Sequence, residues 1–74
     1  MGEGRRVILL NRVKELRKTT GLTQAQLSVA TGVSRKTINT IENGVFNPST
    51  VLALRLARVL GVSVEDIFEL TGEV

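Results

Sequence analysis

Apolar residues recur along the chain at the spacing of short amphipathic helices. Each apolar group follows a residue that suits a helix N-cap, and the first four are also followed by a glycine, which suits a helix end. The predicted N-caps are Asn11, Thr23, Ser34, Ser49 and Ser63, and the predicted ends are Gly21, Gly32, Gly44 and Gly61. The pattern therefore predicts an all-α domain of five short helices.

The residues that repeat every three or four positions are expected to face a shared aliphatic core. The expected core residues are Val13, Leu16, Leu22, Leu27, Ala30, Val33, Ile38, Ile41, Leu52, Leu56, Val59, Leu60, Ile67 and Phe68. On the first helix, the residues expected to point to solvent are Arg12, Lys14, Arg17 and Lys18. One domain is expected over residues 1–74, with its helical part at about 11–70.

The two ends of this helical part are apolar or alternating, which is typical of strands. Val7–Leu10 is apolar and partly β-branched, and Glu69–Thr71 alternates polar and apolar residues. The two segments are predicted to pair as a small antiparallel ribbon. The alternative is that they stay unpaired, because two isolated strands are marginally stable in water.

Composition excludes several classes of site and favours self-association. The sequence has no Cys and no His, so disulfides, thiolate metal sites and histidine acid–base chemistry are absent. No metal or cofactor is expected, and enzymatic function is the least favoured class. A core this small usually needs additional stabilisation, which leaves a dimer as the expected source.

No apolar stretch approaches the length of a membrane span. Val7–Leu10 follows two arginines, but it is too short for a signal peptide and no small-residue cleavage site follows it. The protein is therefore expected in the cytoplasm, without a membrane partner.

Charge is distributed unevenly along the chain. The first 44 residues carry eight basic and three acidic side chains, whereas the remainder carries two basic and four acidic ones. This asymmetry favours a basic face for a polyanion such as DNA. The alternative is that the Lys and Arg side chains simply solvate the helix surfaces.

The segment from Thr23 to Gly44 predicts a helix-turn-helix. Its two helices are joined by the tight turn Thr31–Ser34, which contains a glycine and lets the second helix project from the surface. A projecting helix suits the major groove, where each base pair shows a distinct pattern of donors and acceptors. The residues predicted to read bases from its outward face are Arg35, Lys36, Asn39 and Thr40.

A second set of residues is assigned to the phosphate backbone of DNA. This set is Gln24, Ser34, Asn43, Arg17 and Arg12. Neighbouring polar residues are interpreted structurally: Gln26 as part of a helix cap with Thr23, and Glu42 as an intradomain salt-bridge or capping residue. Arg55 and Arg58 are interpreted as solvating the fourth helix.

These residues also resemble a known family. The chain resembles the Cro/C1-type helix-turn-helix family, the group of lambdoid-phage repressors and xenobiotic-response-element regulators. The residues that carry this resemblance are Leu22-Thr23-Gln24-x-x-Leu27, Gly32-Val33-Ser34, Ile38-x-x-Ile41-Glu42-x-Gly44 and Pro48-Ser49. Ser34–Asn39, Asn47-Pro48-Ser49 and Glu65–Phe68 resemble, more narrowly, the very small regulators that include the cytolysin-operon repressor.

The resemblance implies a lambda-repressor-like five-helix domain, a ribbon formed by the two ends, and a homodimer. Gln24 and Asn43 match phosphate-contacting positions of the family, and Arg35, Lys36 and Thr40 match its base-reading positions, with Asn39 as an additional reader. The N-terminal segment is longer and more apolar than the subgroup pattern, which leaves the register of the ribbon open.

The main functional hypothesis is a homodimeric repressor that binds double-stranded DNA at a pseudo-palindromic operator, with no small-molecule ligand. One alternative is the antitoxin half of a toxin–antitoxin pair, although the sequence shows no evident toxin-binding extension. Another is a protein-interaction module, which predicts an acidic or apolar third helix. The third helix here is basic and polar.

Overall fold

Five helices and one two-stranded ribbon make up residues 7–72, the part of the chain that this computed structural model describes. In chain order the elements are β1 (Val7–Asn11), α1 (Val13–Thr20), α2 (Gln24–Thr31), α3 (Arg35–Glu42), α4 (Thr50–Leu60), α5 (Val64–Ile67) and β2 (Phe68–Gly72). The predicted five-helix architecture is confirmed. No helix within these residues is long and apolar enough to cross a membrane.

Side-chain caps set where four of the helices begin. The hydroxyl groups of Thr23, Ser34, Ser49 and Ser63 each accept a backbone N–H three residues on. Asn11 is the exception, because it lies at the end of β1 while Arg12 occupies the N-cap of α1. The Asn11 side chain still accepts the N–H of Val13 at 3.2 Å, so it caps the helix from one residue further out than predicted.

The core is aliphatic and lies between the helices. Its buried apolar residues are Val13, Leu27, Ile38, Ile41, Leu52, Leu56, Ala57, Leu60 and Ile67. Leu16, Leu22, Val33, Val59 and Phe68 pack against this core, partly buried, as predicted.

One predicted core residue, Ala30, is wrong because it is exposed. The inward face of α2 is formed by Leu27, Ser28 and Thr31 instead. These three residues lie within about 100° of one another around the helix axis, and Ala30 falls outside that sector. The buried hydroxyls are satisfied locally, with Thr31 donating to the Leu27 carbonyl at 2.7 Å.

The ribbon predicted from the two ends is confirmed. β1 pairs antiparallel with β2, and Leu9 lies opposite Leu70 in the register. Asn11 Nδ2 donates to the Ile41 carbonyl at 2.9 Å, which ties the end of β1 to the last turn of α3. The ribbon is therefore attached to the helical core beside the C-terminal end of α3, the helix that is predicted to read bases.

The turn between α2 and α3 depends on Gly32. Its φ is +77°, a left-handed conformation that side chains disfavour, and its N–H donates to the Ser28 carbonyl at 2.9 Å. A Cβ at this position would lie 3.2 Å from Nη1 of Arg55, which itself donates to the Thr31 carbonyl. This tight, covered turn fixes the direction in which α3 leaves α2.

Candidate nucleic-acid interface

Helix α3 has one fully buried face and one polar face in solvent. Ile38 and Ile41 are 0% exposed and anchor the helix to the core. On the other side, the structure leaves Arg35, Lys36 and Asn39 exposed and Thr40 half-buried. The four residues predicted to read bases therefore share the side of α3 that is available to a partner.

The start of α2 lies beside this polar face. Gln24 Nε2 donates to Asn39 Oδ1 at 3.2 Å and to Glu42 Oε1 at 3.0 Å. Asn43 Nδ2 in turn approaches Asn39 Oδ1 at 3.5 Å. Three amide side chains, Gln24, Asn39 and Asn43, are thus held in a row along the edge of α3. Gln24, Arg35, Lys36 and Asn39 also line one shallow surface depression.

Ser34 is exposed at the N-cap of α3, directly before Arg35. Its Oγ accepts the backbone N–H of Thr37 at 3.1 Å and shares a second hydrogen bond with the Thr37 hydroxyl at 2.9 Å. These contacts cap the start of α3, and the role of Ser34 at a phosphate stays a prediction.

Arg17 requires a correction. Instead of pointing to solvent, Arg17 is only 8% exposed. Its Nε donates to Glu42 Oε2 at 2.7 Å, its Nη2 to Oε1 at 3.3 Å, and its Nη1 to the Leu22 carbonyl at 3.0 Å. Arg17 lies four residues after Val13 and so belongs to the buried face of α1. The observed contacts of Arg17 are therefore within the domain, and its role at a phosphate stays a prediction.

Glu42 is the centre of this buried contact, and its side chain is 1% exposed. Burial raises the pKa of Glu42, but hydrogen bonds from Arg17 and Gln24, with the positive charges of Arg17 and Lys14, more than offset this. The pKa of Glu42 is consequently below its ordinary value, and the carboxylate is ionised at neutral pH. The interpretation of Glu42 as an intradomain salt-bridge residue is confirmed.

Arg12 also lies away from the predicted site. It precedes α1, and its guanidinium donates to the Asp66 carbonyl and to Glu69 Oε1, both at 3.2 Å. These partners belong to α5 and β2 rather than to α2 or α3. These contacts hold the ribbon to the helical core, and the role of Arg12 at a phosphate stays a prediction.

The sequence reasoning missed a feature on the second side of α3. Lys36, Thr37 and Thr40 line a surface cleft together with Val45 and Phe46 from the loop that follows the helix. Val45 is 77% exposed and Phe46 is 49% exposed. The available signal was the position of two apolar residues directly after Gly44, within a loop that is otherwise polar.

Comparison with known proteins points to one family. The helix-turn-helix family profile matches residues 13–67. The regulator YgzD of Bacillus subtilis, described as an uncharacterized HTH-type transcriptional regulator, is 41% identical over 63 residues, which cover 85% of this chain and 96% of YgzD.

Two solved structures have the same fold at significant identity. The restriction-modification controller protein C.AhdI from Aeromonas hydrophila is 34% identical with a TM-score of 0.71, covering 74% of this chain and 83% of C.AhdI. The biofilm regulator SinR, solved in complex with DNA, is 33% identical with a TM-score of 0.69, covering 73% of this chain and 87% of the SinR chain. The chain therefore belongs to the helix-turn-helix family, in its Cro/C1-like group, and is a DNA-binding transcriptional regulator rather than an enzyme.

Proposed function

We propose that this regulator is a repressor that acts in the cytoplasm as a homodimer on a pseudo-palindromic operator. Each protomer places α3 in the major groove, and the two half-sites lie about one helical turn, ~34 Å, apart. The observation that carries the proposal is the polar face of α3, where Arg35, Lys36, Asn39 and Thr40 lie opposite the buried Ile38 and Ile41.

The side chains on this face match the edges of bases in the major groove. Arg35 and Lys36, in the first turn of α3, suit the O6 and N7 acceptors of guanine. Asn39 suits the N6 and N7 atoms of adenine, and Thr40 contacts bases at the next turn of the helix. This face supports sequence-specific rather than purely electrostatic binding.

Phosphate contacts are assigned to the residues that flank α3. Gln24 opens α2, an eight-residue helix whose N-terminal end carries a partial positive charge. Asn43 follows the end of α3, and its side-chain amide offers a second donor. Together these residues contact the phosphate backbone of DNA on both sides of the groove that α3 enters.

We expect Gln24→Ala to weaken binding to every DNA sequence by a similar factor, about fivefold, because one hydrogen bond to a phosphate carries no base information. The measurement is the Kd for the preferred site and for single-base variants of it. Gln26→Ala is the matched control, since Gln26 serves the capping box with Thr23 and lies outside the proposed contact. A changed base preference in Gln24→Ala contradicts the assignment.

The dimer is assigned to an apolar groove between the ribbon and the start of α4. This groove is lined by Leu9, Leu54, Val64 and Phe68, together with Pro48 and Ala53. Leu54 is 57% exposed in the single chain, and Leu70, opposite Leu9 in the ribbon, is 59% exposed. A second copy of the chain covers these side chains and adds the buried surface that a domain of this size needs.

We expect Leu54→Glu to raise the dimer dissociation constant at least tenfold, because a carboxylate would be buried without a partner in the interface. Sedimentation equilibrium measures the change. Val29→Glu is the control, since Val29 is 82% exposed on α2 and does not line the groove. Equal association by both variants and the unchanged protein contradicts this interface.

Transcription in vitro tests the repressor role. With the preferred site placed across a promoter, we expect the amount of transcript to fall as the protein occupies the site. An increase in transcript at full occupancy contradicts repression and identifies an activator.

A further inference from the structure

The surface around α3 is divided into two chemically different flanks. One flank carries the amide row of Gln24, Asn39 and Asn43 beside Arg35. The other, which we call the apolar flank, consists of Thr40, Val45 and Phe46. Lys36 lies between them, because it lines the depression on the amide side and the cleft on the apolar side.

The loop that follows α3 is fastened against the helix. The backbone N–H groups of Val45 and Phe46 both donate to the Thr40 carbonyl, at 2.9 Å and 3.3 Å. These bonds hold the two apolar side chains next to the base-reading residues Lys36 and Thr40. Their position is therefore set by the end of α3 itself.

The apolar flank has little capacity to donate hydrogen bonds. Val45 and Phe46 have no polar side-chain atoms, and the hydroxyl of Thr40 donates to the Thr37 carbonyl at 2.9 Å. A phosphate oxygen gains nothing from such a surface, since it binds to donors and cations. The apolar group that the major groove does present is the 5-methyl group of thymine.

We propose that Thr40, Val45 and Phe46 form a contact for a thymine methyl group, so that the loop after α3 takes part in reading the operator. The inference rests on the proposed entry of α3 into the major groove. It adds Val45 and Phe46 to the residues that determine specificity, and it assigns A·T pairs to the side of the half-site that faces the apolar flank.

A second copy of the chain is a less suitable occupant of this flank. The larger apolar groove, lined by Leu9, Leu54 and Phe68, shares no residue with it. Lys36 places a positive charge at the edge of the apolar flank, and this charge complements DNA rather than the identical basic surface of a second copy. Continuity with the polar face of α3 favours DNA.

Replacement of thymine by deoxyuridine tests the proposal, because it removes the methyl group and leaves base pairing intact. In the preferred duplex, each thymine is replaced singly, and Kd is measured for the unchanged protein, Val45→Ala and Phe46→Ala. We expect one position per half-site at which the unchanged protein loses about fourfold in affinity, the effect of one buried methyl group. At that position Phe46→Ala loses little or nothing, and Val45→Ala shows a reduced loss.

Val29→Ala is the matched control, because Val29 is as exposed as Val45 but lies on α2 away from this flank. It is expected to keep the full sensitivity to deoxyuridine, and thermal unfolding verifies that each variant is folded. If Phe46→Ala and Val45→Ala lose as much as the unchanged protein at every position, the methyl contact is wrong. A protein that selects no DNA sequence overturns the proposed function itself, which is a separate outcome.

Discussion

Replacing Glu42 by Gln is expected to lower the free energy of unfolding by about 3–5 kcal/mol, the usual result of removing one partner from a buried ion pair. The Glu42 side chain is 1% exposed and accepts two hydrogen bonds from Arg17, at 2.7 Å and 3.3 Å. The variant leaves the Arg17 charge buried without a counterion. For a domain of this size that loss is a large share of the total stability, and urea unfolding at pH 7 measures it.

A matched control for this change is available in the same chain. Arg12 and Glu69 form a second Arg–Glu pair at 3.2 Å, but their side chains are 48% and 56% exposed. Glu69→Gln is therefore expected to change stability by less than about 1 kcal/mol. Equal effects of the two substitutions contradict the structural importance assigned to the buried pair.

The effect of Glu42→Gln is also expected to depend on pH. The pKa of Glu42 lies below its ordinary value of 4.5, so the ionised carboxylate stabilises the folded state in full above that value. This stabilisation is lost as pH falls through the pKa of the folded state. The difference between the unchanged protein and the variant is consequently largest near neutral pH and narrows below pH 4.5.

Replacing Arg35 by Ala is expected to reduce affinity for the preferred operator by about 1–3 kcal/mol and to relax selection at one base pair of each half-site. Arg35 is exposed in the first turn of α3, between Ser34 and Lys36, where a helix entering the major groove meets base edges. The measurement is the Kd for the preferred duplex and for each single-base variant of it.

The control for this substitution is Arg58→Ala. Arg58 is exposed near the end of α4 and lines a different cleft, beside Val29 and Val59. It is expected to leave base preference unchanged. A uniform loss over all sequences in Arg35→Ala makes Arg35 a phosphate contact and contradicts its assignment as a base reader.

The helices could be predicted because local signals determine their limits. Four helices begin at a hydroxyl residue that accepts a backbone N–H three residues further on, and apolar residues recur at helical spacing between these caps. The four residues are Thr23, Ser34, Ser49 and Ser63. The helix-turn-helix and the outward position of Arg35 follow from the same local pattern. The ribbon could also be predicted, because its two strands adjoin the first and last helices.

Contacts between residues distant in the chain could not be predicted from local signals. The charge of Arg17 predicts a surface residue, but in the fold Arg17 is buried and pairs with Glu42, 25 positions away. Arg12 likewise pairs with Glu69, 57 positions away. The loop residues Val45 and Phe46 were overlooked because their contact with α3 depends on how the chain turns back after Gly44.

Selection of bound sites from a pool of random DNA duplexes tests the central claim most directly, with the affinity for the selected site followed against salt concentration. The account predicts an inverted repeat whose half-site centres lie about one helical turn apart, with guanine among the specified bases and measurable binding at physiological salt. A pool that shows no enriched sequence, or binding that disappears at physiological salt, contradicts sequence-specific recognition by α3. Enrichment of a single half-site without its repeat contradicts the dimer.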